Sequence, residues 1–346
     1  MTTQTYEVSE YSKIKVKECL GDLTIKAKDT PEITVRAARD EDLNVVQEGD
    51  TLVIDSRVNC QVTCPHDLTL DIEVVRGNLW IKELHSDLTI GEVNGNASLR
   101  DVGATTVEQV YGSLRAQQIA GALTVHSVAG DARVDGVAGE AKLDRVGSDL
   151  RAAGMSAGLI AEAVGSDVRL DPPFTAGATY RLRAGSDLRV RLPEDVSGAA
   201  ATCVRFDLQA GSGVRSKVPT LELEETNGHV TGVLGEMGEA GEECAMVKAQ
   251  VGGRIVISAV AVEGDYGKGY AEDFDVDIDL SFLEGLDELG PMIEARVAEA
   301  MADLDVQLQK GLSFLESDRF RGYVEEAAEK AEHAAERISE KARVMV

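Results

Sequence analysis

The sequence predicts a mainly β protein: a two-sided β-solenoid with about 18 residues per coil, followed by a C-terminal α-helical hairpin. A nine-residue repeat runs from Gly77 to about Phe174, as in SDLTIGEVN and GALTVHSVA. Each unit has a small residue first, apolar or small residues third and fifth, and usually a branched apolar residue eighth. Nine residues leave no room for a helix and two turns, so each unit is a strand and a turn. Because no single strand can bury its apolar face, the units must stack.

Arginines that recur along the repeat give the size of a coil. Side chains alternate between two faces of a strand, so the third and fifth residues share one face and the fourth points outward. Outward arginines recur every 18 residues, which is two units and therefore two strands per coil. This arginine ladder comprises Arg115, Arg133, Arg151, Arg169 and, after a longer step, Arg189. Aspartates stand two residues before four of these arginines: Asp131, Asp149, Asp167 and Asp187.

This Asp-x-Arg surface has two interpretations. In the first, the aspartates neutralise arginines that stack at the strand spacing of ~4.8 Å, and the resulting ladder holds the coils in register. Exposed ion pairs stabilise a protein by only ~0–1 kcal/mol each, so this interpretation concerns register more than stability. In the second, the ladder is a charged docking stripe for a partner.

The repeats define the predicted domain boundaries. Residues 1–76 form a β segment that leads into the solenoid and caps one end, because an open end exposes unpaired strand edges. The solenoid covers 77–262. An acidic linker follows at 263–290, where apolar residues and aspartates alternate from Asp273 to Leu280. We interpret this alternation as an edge strand protected by charge; a divalent-cation site is the alternative, although carboxylates on one strand diverge rather than converge on an ion.

Residues 291–346 predict two amphipathic helices. Gly290-Pro291 marks the start of the first, and apolar residues then recur every three or four positions. The second helix carries a heptad seam made of Val324, Ala328, Ala331, Ala335, Ile338, Ala342 and Met345. This seam fits either a hairpin folded on its own solenoid or a coiled coil that joins subunits.

The net charge argues against two classes of partner. The chain has 35 Lys and Arg against 61 Asp and Glu, a net charge of −26, with the acid concentrated in the last third. Nucleic acids require a basic footprint, and anionic lipids attract basic segments, so we expect neither to bind. Direct insertion into a membrane is not expected either, because no stretch approaches the ~20 apolar residues of a spanning helix.

Catalytic and metal-binding motifs are not evident. The sequence has no P-loop and no HExxH pattern, so we expect no enzyme, no catalytic residues and no cofactor. The motif Cys60-x-x-x-Cys64-Pro-His66 could be half of a metal site. Because no second pair of ligands follows at zinc spacing, we interpret both cysteines as buried strand thiols and expect no metal.

Cysteine usage bears on the location of the protein. The five cysteines are odd in number and scattered: Cys19, Cys60, Cys64, Cys203 and Cys244. This usage is typical of a reducing compartment rather than of a disulfide scaffold. The N-terminal residues show no apolar core of a secretory signal. The predicted location is therefore cytoplasmic.

Several segments, in order, resemble a known family. They are KVKECLGDLTIKAKDTPEITVRA, EGDTLVIDS, DLTLDIEVVRGNLWI, the recurring GxLxI units, and GSDLRVRLPEDVSGA. Together they resemble the bacterial putative-adhesin β-strand-repeat family, a domain of unknown function, over roughly residues 5–260. The resemblance implies a right-handed β-solenoid with no catalytic residues to carry over. Members of the family are often secreted or membrane-tethered, and some are linked to envelope-stress systems; this chain differs by its acidic helical tail and by the lack of a recognisable signal or anchor.

Three functional hypotheses follow. The leading one is a non-enzymatic cytoplasmic scaffold, a β-solenoid rod that self-associates or docks a protein partner through its C-terminal helices. The second is a structural filament in which solenoids stack end to end through their open edges. The third is an adhesin-like module that binds glycan or envelope material.

Overall fold

The computed structural model describes residues 2–8, 11–193, 203–226, 228–235 and 244–260. These residues belong to one compact unit, Met1–Ala271. The predicted edge strand at 263–290, the two predicted helices and the heptad seam lie outside the described residues. Among the residues that are described, no helix has the length and apolar character needed to cross a membrane.

Two sheets make up the described part of the chain. Sheet A has the spatial order β1 (Thr2–Glu7), β4 (Glu32–Ala37), β7 (Cys60–Cys64), β3 (Leu23–Ala27), β9 (Leu79–Leu84), β11 (Ala97–Val102), β13 (Leu114–Ile119), β15 (Ala132–Val137), β17 (Leu150–Met155), β19 (Val168–Asp171), β21 (Leu188–Pro193), β27 (Ile255–Val260) and β23 (Val214–Ser216). Sheet B has the order β24 (Glu222–Thr226), β25 (His229–Leu234), β22 (Val204–Ala210), β26 (Ala245–Val251), β20 (Thr179–Ala184), β18 (Gly158–Val164), β16 (Ala141–Val146), β14 (Leu123–Val128), β12 (Thr105–Val110), β10 (Leu88–Val93), β8 (Thr69–Val75), β2 (Lys13–Cys19), β6 (Thr51–Ser56) and β5 (Leu43–Glu48). A short 3-10 helix at Asp40–Asp42 precedes β5.

The chain alternates between the sheets from β8 to β21, and from β10 onward each of these strands pairs in parallel with the strand two places earlier. On sheet A, for example, Leu114 lies opposite Ala132, which lies opposite Leu150. The sequence-based prediction of a mainly β protein with parallel strands in two sheets is therefore confirmed.

The apolar positions of the repeat form one continuous core between the sheets. In β14, Leu123, Val125 and Val128 are completely buried, whereas Thr124 between them is partly exposed. Burying a branched apolar side chain stabilises the folded state by about 1.5–3 kcal/mol. The core extends along the stack from Tyr11 to Ile257, so each added coil covers the apolar face of the previous one.

A column of residues with left-handed backbone explains how the eighth residue of a unit on sheet A points inward. Simple alternation after the third and fifth residues would turn the eighth residue outward. On β9, β11, β13, β15 and β17 the seventh residue has a positive φ, which shifts the alternation by one; these residues are Glu83 (62°), Asp101 (53°), Gln118 (56°), Gly136 (70°) and Gly154 (67°). Leu84, Val102 and Ile119 then become buried.

Antiparallel strands continue both sheets at one end of the parallel stack and sheet B at the other end, where sheet A ends in the short parallel strand β23. At one end β1 pairs with β4, β4 with β7, and β5 with β6. At the other end β25 pairs with β22 and β24. The outermost strand β24 has the sequence ELEET, whose acidic side chains disfavour addition of another strand. These ends give the end-to-end filament hypothesis little support.

The cysteines depart from the prediction of free thiols. Cys203 and Cys244 form a disulfide with their Cα atoms 4.6 Å apart. Each stands directly before a strand, and those strands are parallel neighbours in which Val204 lies opposite Ala245. The sequence did not show this pair because the two positions are 41 apart in sequence, with the β24–β25 hairpin between them. The expectation of five reduced cysteines is wrong for these two.

Candidate functional site: the arginine ladder of sheet A

The arginine ladder lies on the outer face of sheet A. Each arginine follows an inward third residue of its unit, so it points away from the core. Parallel pairing places the five arginines on adjacent strands in register: Arg115 opposite Arg133, Arg133 opposite Arg151, Arg151 opposite Arg169, and Arg169 opposite Arg189. Four steps at the strand spacing of ~4.8 Å make a column about 19 Å long. Arg151 and Arg189 are exposed, and the other three are half-buried.

The aspartates of the Asp-x-Arg pattern occupy the turns before these strands. Their carboxylates accept hydrogen bonds from backbone amides of the next turn: Asp149 N–H donates to Asp131 Oδ1 at 3.2 Å, and Asp167 N–H donates to Asp149 Oδ1 at 3.1 Å. Asp187 N–H donates in the same way to Asp167 Oδ1 at 3.0 Å. The aspartates therefore hold successive turns in register, as the first interpretation expected, but they do so through backbone amides.

A second row of outward residues runs beside the ladder, two positions further along each strand. It contains Lys82, Arg100, Gln117, Asp135, Ala153 and Asp171. Asp171 is the best-paired carboxylate of this row: Arg169 Nε donates to its Oδ2 at 2.9 Å, and Arg191 Nη1 lies 3.7 Å from its Oδ1. The sequence analysis did not single out Asp135 or Asp171, although both follow a ladder arginine by two residues.

A notch separates the two carboxylates of the second row. Ala153 stands between Asp135 and Asp171 and offers only a methyl group, so the surface dips at this point. The notch has a volume of about 30 Å³, which is room for a single water molecule. Its lining residues are Arg133, Val134, Asp135, Arg151, Ala152, Ala153, Arg169 and Asp171. The site is therefore an open charged surface and not a pocket for a small molecule.

The stacking of like charges has an electrostatic cost. Two unit charges at about this separation repel by about 1 kcal/mol in bulk water and by several kcal/mol at the lower effective dielectric near a protein surface. Asp171, which pairs with Arg169, and Asp135, which interacts with Arg133, offset part of this repulsion. A row of anionic groups laid along the ladder would offset more of it, so the geometry favours a linear anionic ligand.

Burial raises the pKa of the Asp135 carboxyl above its ordinary value of 3.8; the neighbouring Arg133 lowers this pKa and Asp171 raises it. A carboxyl whose pKa is raised on folding contributes stability at pH values below its ordinary pKa, and this contribution is lost as the pH rises through the raised value. Asp135→Asn is therefore expected to raise the melting temperature at pH 7 and to have little effect at pH 3.5. Thermal unfolding followed by circular dichroism at both pH values checks this.

Asp144 on sheet B provides a control, because the pKa of its carboxyl is lowered, whereas that of Asp135 is raised. Hydrogen bonds from His126 and Lys142 lower the pKa of its carboxyl, so its contribution is present above the ordinary pKa and is lost at lower pH. Asp144→Asn is expected to lower the melting temperature at pH 7. If Asp135→Asn also lowers it at pH 7, the assigned burial of Asp135 is wrong.

The three remaining cysteines are buried and unreactive. Burial raises the pKa of Cys19 to about 11, and those of Cys60 and Cys64 to about 12 each, so the thiols stay protonated at neutral pH.

His66 Nδ1 contacts the carbonyl oxygen of Glu83, and its ring stacks on His85 with centroids 4.8 Å apart. In the described part of the chain, no group of three or more His, Cys, Asp or Glu side chains is placed to hold a metal ion.

A wider groove crosses β18, β20 and β26 on sheet B. It has a volume of about 390 Å³ and is open to solvent, and Arg183 Nη1 lies 3.3 Å from Glu162 Oε2 within it. Because these two charges face each other, the groove offers less unbalanced charge to a ligand than the ladder does.

Comparisons with known proteins give only distant similarities. No family model and no curated protein matches the chain. One similar solved structure is a putative cell adhesion protein from Clostridium sporogenes ATCC 15579, with 11% identity, coverage of 75% of this chain and 98% of that chain, and a TM-score of 0.19. A putative adhesin from Bacteroides fragilis NCTC 9343 has 10% identity, coverage of 75% of this chain and 96% of that chain, and a TM-score of 0.21. A putative adhesin from Parabacteroides distasonis ATCC 8503 has 14% identity, the same two coverages, 75% and 96%, and a TM-score of 0.24. Similarities this weak do not transfer a function, so the residues of sheet A carry the functional argument.

Proposed function

We propose that this protein is a non-enzymatic binding module, the adhesin-like hypothesis of the sequence analysis, and that its binding surface is the arginine ladder. One observation carries the proposal: five arginines stand in register on adjacent strands of an otherwise acidic protein. Register alone does not require such a column, because the turn aspartates already hold neighbouring coils together. The ligand class that fits an open column of positive charge is a linear polyanion.

Binding of fluorescein-labelled dextran sulfate by the full chain tests this proposal. We expect saturable binding that weakens as salt concentration rises, because the contacts are ion pairs near the surface. The double variant Arg133→Glu/Arg151→Glu should weaken binding by about tenfold or more, since it replaces two attractive contacts, each worth about 1 kcal/mol, with repulsive ones. Fluorescence polarisation at 50 and 200 mM salt measures the effect.

The matched control changes the same charge on the opposite sheet. Arg145 and Arg181 are exposed on the outer face of sheet B. Arg145→Glu/Arg181→Glu should bind dextran sulfate nearly as well as the unmodified protein. Equal weakening in both double variants would mean that added negative charge anywhere on the protein weakens binding and that the ladder is not the binding surface, and an unaffected ladder variant would also reject the proposal.

The disulfide bears on location. Disulfides persist in oxidising compartments and are rare in the cytosol. The Cys203–Cys244 bond therefore supports an oxidising compartment over the predicted cytoplasmic one. If these two cysteines are fully reduced in protein isolated under thiol-blocking conditions, the cytoplasmic prediction stands.

The proposal also covers the handedness and size of the coil, the C-terminal helices and the family of the chain. On the family resemblance, we take the path as right-handed. On the sequence pattern, we take the coil as about 18 residues long and the C-terminal helices as a hairpin. On the quoted segments, we place the chain in the putative-adhesin β-strand-repeat family, with the helical tail as an addition. The domain boundaries at 76, 262 and 290 remain predictions. The scaffold hypothesis depends on helices outside the described residues.

A further inference from the structure

The arginine ladder continues into an aromatic residue. Trp80, the single tryptophan of the chain, lies opposite Ser98 on sheet A, and Ser98 lies opposite Arg115. The column therefore reads, strand by strand, as an aromatic ring, a hydroxyl and five guanidinium groups. Trp80 is partly exposed on the outer face, about 10 Å from the first arginine at two strand spacings.

The second row adds carboxylates to this basic surface. Asp135 and Asp171 stand beside the ladder arginines. Where these carboxylates stand, a ligand whose only polar groups are phosphates or sulfates would lose part of its attraction to the arginines. A ligand that also carries hydroxyl groups would donate hydrogen bonds to them, since ionised carboxylates only accept. The surface thus suits a chain that repeats anionic and hydroxyl groups together.

The partly exposed indole of Trp80 adds a third requirement for the ligand, which is an apolar face. Trp combines a large apolar ring face with one N–H donor, and it is suited to a partner that is apolar on one side and polar at its rim. Pyranose rings have this character, because their C–H groups form an apolar face and their hydroxyls lie around the edge. An acidic peptide provides carboxylates but no regular array of hydroxyls.

We propose that sheet A binds a linear polysaccharide built from uronate units. The polymer runs across the strands, with its carboxylates on the arginine ladder, its hydroxyls on Asp135 and Asp171, and a sugar ring on Trp80. One unit of an extended pyranose chain advances roughly as far as one strand spacing, ~4.8 Å, and neighbouring units turn over, so about every second unit presents its carboxylate to the ladder. This inference rests on the proposed function and assigns its ligand.

Trp80 also provides a fluorescence signal with which ligand binding can be measured. Because it is the single tryptophan, its fluorescence reports directly on the end of the ladder. We expect polygalacturonate to change the emission of the full chain in a saturable way. Methyl-esterified polygalacturonate, which keeps the sugar rings and loses the charges, should bind at least about tenfold more weakly, as should polyaspartate, which keeps charges and lacks hydroxyls.

Calorimetric titration of variants at Trp80 and Asp135 separates the contributions of these two side chains to polymer binding. Trp80→Ala should weaken binding of polygalacturonate about fivefold, in the range of one aromatic contact, and leave binding of polyaspartate, which has no sugar ring, unchanged. Asp135→Ala should weaken polygalacturonate binding and should not weaken polyaspartate binding, because it removes a repulsive carboxylate. Both results together support a hydroxylated, uronate-bearing ligand.

Failure of this inference is distinguishable from failure of the proposed function. If polyaspartate binds as tightly as polygalacturonate, or if Trp80→Ala and Asp135→Ala weaken binding of all polymers equally, the uronate assignment is wrong and the polyanion-binding function survives. If Arg133→Glu/Arg151→Glu leaves binding of both polygalacturonate and dextran sulfate unchanged, the proposed function itself is wrong.

Discussion

Val134→Asp is expected to destabilise the protein by several kcal/mol, more than any substitution on an outer face. Val134 is 1% exposed and lies on β15 between the buried residues Ala116 and Ala152 of the neighbouring strands. A carboxylate placed there has no partner, and burial of an unpaired charge is among the most costly changes in a core. Urea unfolding of the full chain, followed by circular dichroism, measures the loss in free energy of unfolding.

Thr124→Asp provides the matched control for this prediction. Thr124 lies one unit earlier, at an outward position of sheet B, between Thr106 and Lys142 on adjacent strands. A carboxylate at this surface position can pair with Lys142, so the free energy of unfolding should change by no more than about 0.5 kcal/mol. If the two variants unfold at the same urea concentration, the inward and outward assignment of the repeat is wrong.

Gly165→Val is expected to be among the most damaging changes in a turn. Gly165 follows β18, and a Cβ atom added to it would lie 2.0 Å from the carbonyl oxygen of Gly147 in the adjacent turn. Backbone atoms cannot move aside as a flexible side chain can. The bulk of valine therefore has to push the turns apart and strain the bond in which Gly165 N–H donates to the Val146 carbonyl at 2.8 Å.

Overpacking of this kind costs about 1–3 kcal/mol, and valine should lie at the upper end. The adjacent change Ser166→Ala removes one hydroxyl from a half-buried turn residue and should alter the free energy of unfolding by no more than about 0.5 kcal/mol. Thermal unfolding of the two variants and the unmodified protein checks this. A Gly165→Val variant that melts with the unmodified protein would contradict the close approach of the turns.

The repeat pattern predicted most of the core and the place of the ladder. The third and fifth residues of a unit, such as Leu123 and Val125, are buried because alternation along a strand is a local property of the backbone. The pattern also marked the eighth residue as apolar. It did not show the positive φ of Gln118 that turns Ile119 inward, because a non-glycine residue seldom adopts this conformation and the sequence has no marker for it.

The chemistry around the ladder was harder to predict. Spacing showed that Asp131 and Arg133 recur together, but the same spacing is compatible with an ion pair or with a carboxylate that caps a backbone amide. The hydrogen bond from the Asp149 amide to the Asp131 carboxylate decides between these two arrangements, and Asp149 belongs to a turn 18 residues further along the chain. Trp80 and Asp171 were not predicted because neither belongs to the Asp-x-Arg pattern.

The amino-acid sequence by itself determined the repeat, the strand-and-turn unit, the inward apolar positions and the recurrence of arginine, since each of these depends on neighbours within nine residues. Tertiary structure alone decided the Cys203–Cys244 disulfide, the antiparallel pairing at the ends and the hydrogen bonds from backbone amides to the turn aspartates. These features join residues that are distant in sequence, and stacking brings them together because a strand buries its apolar face only when the next coil covers it.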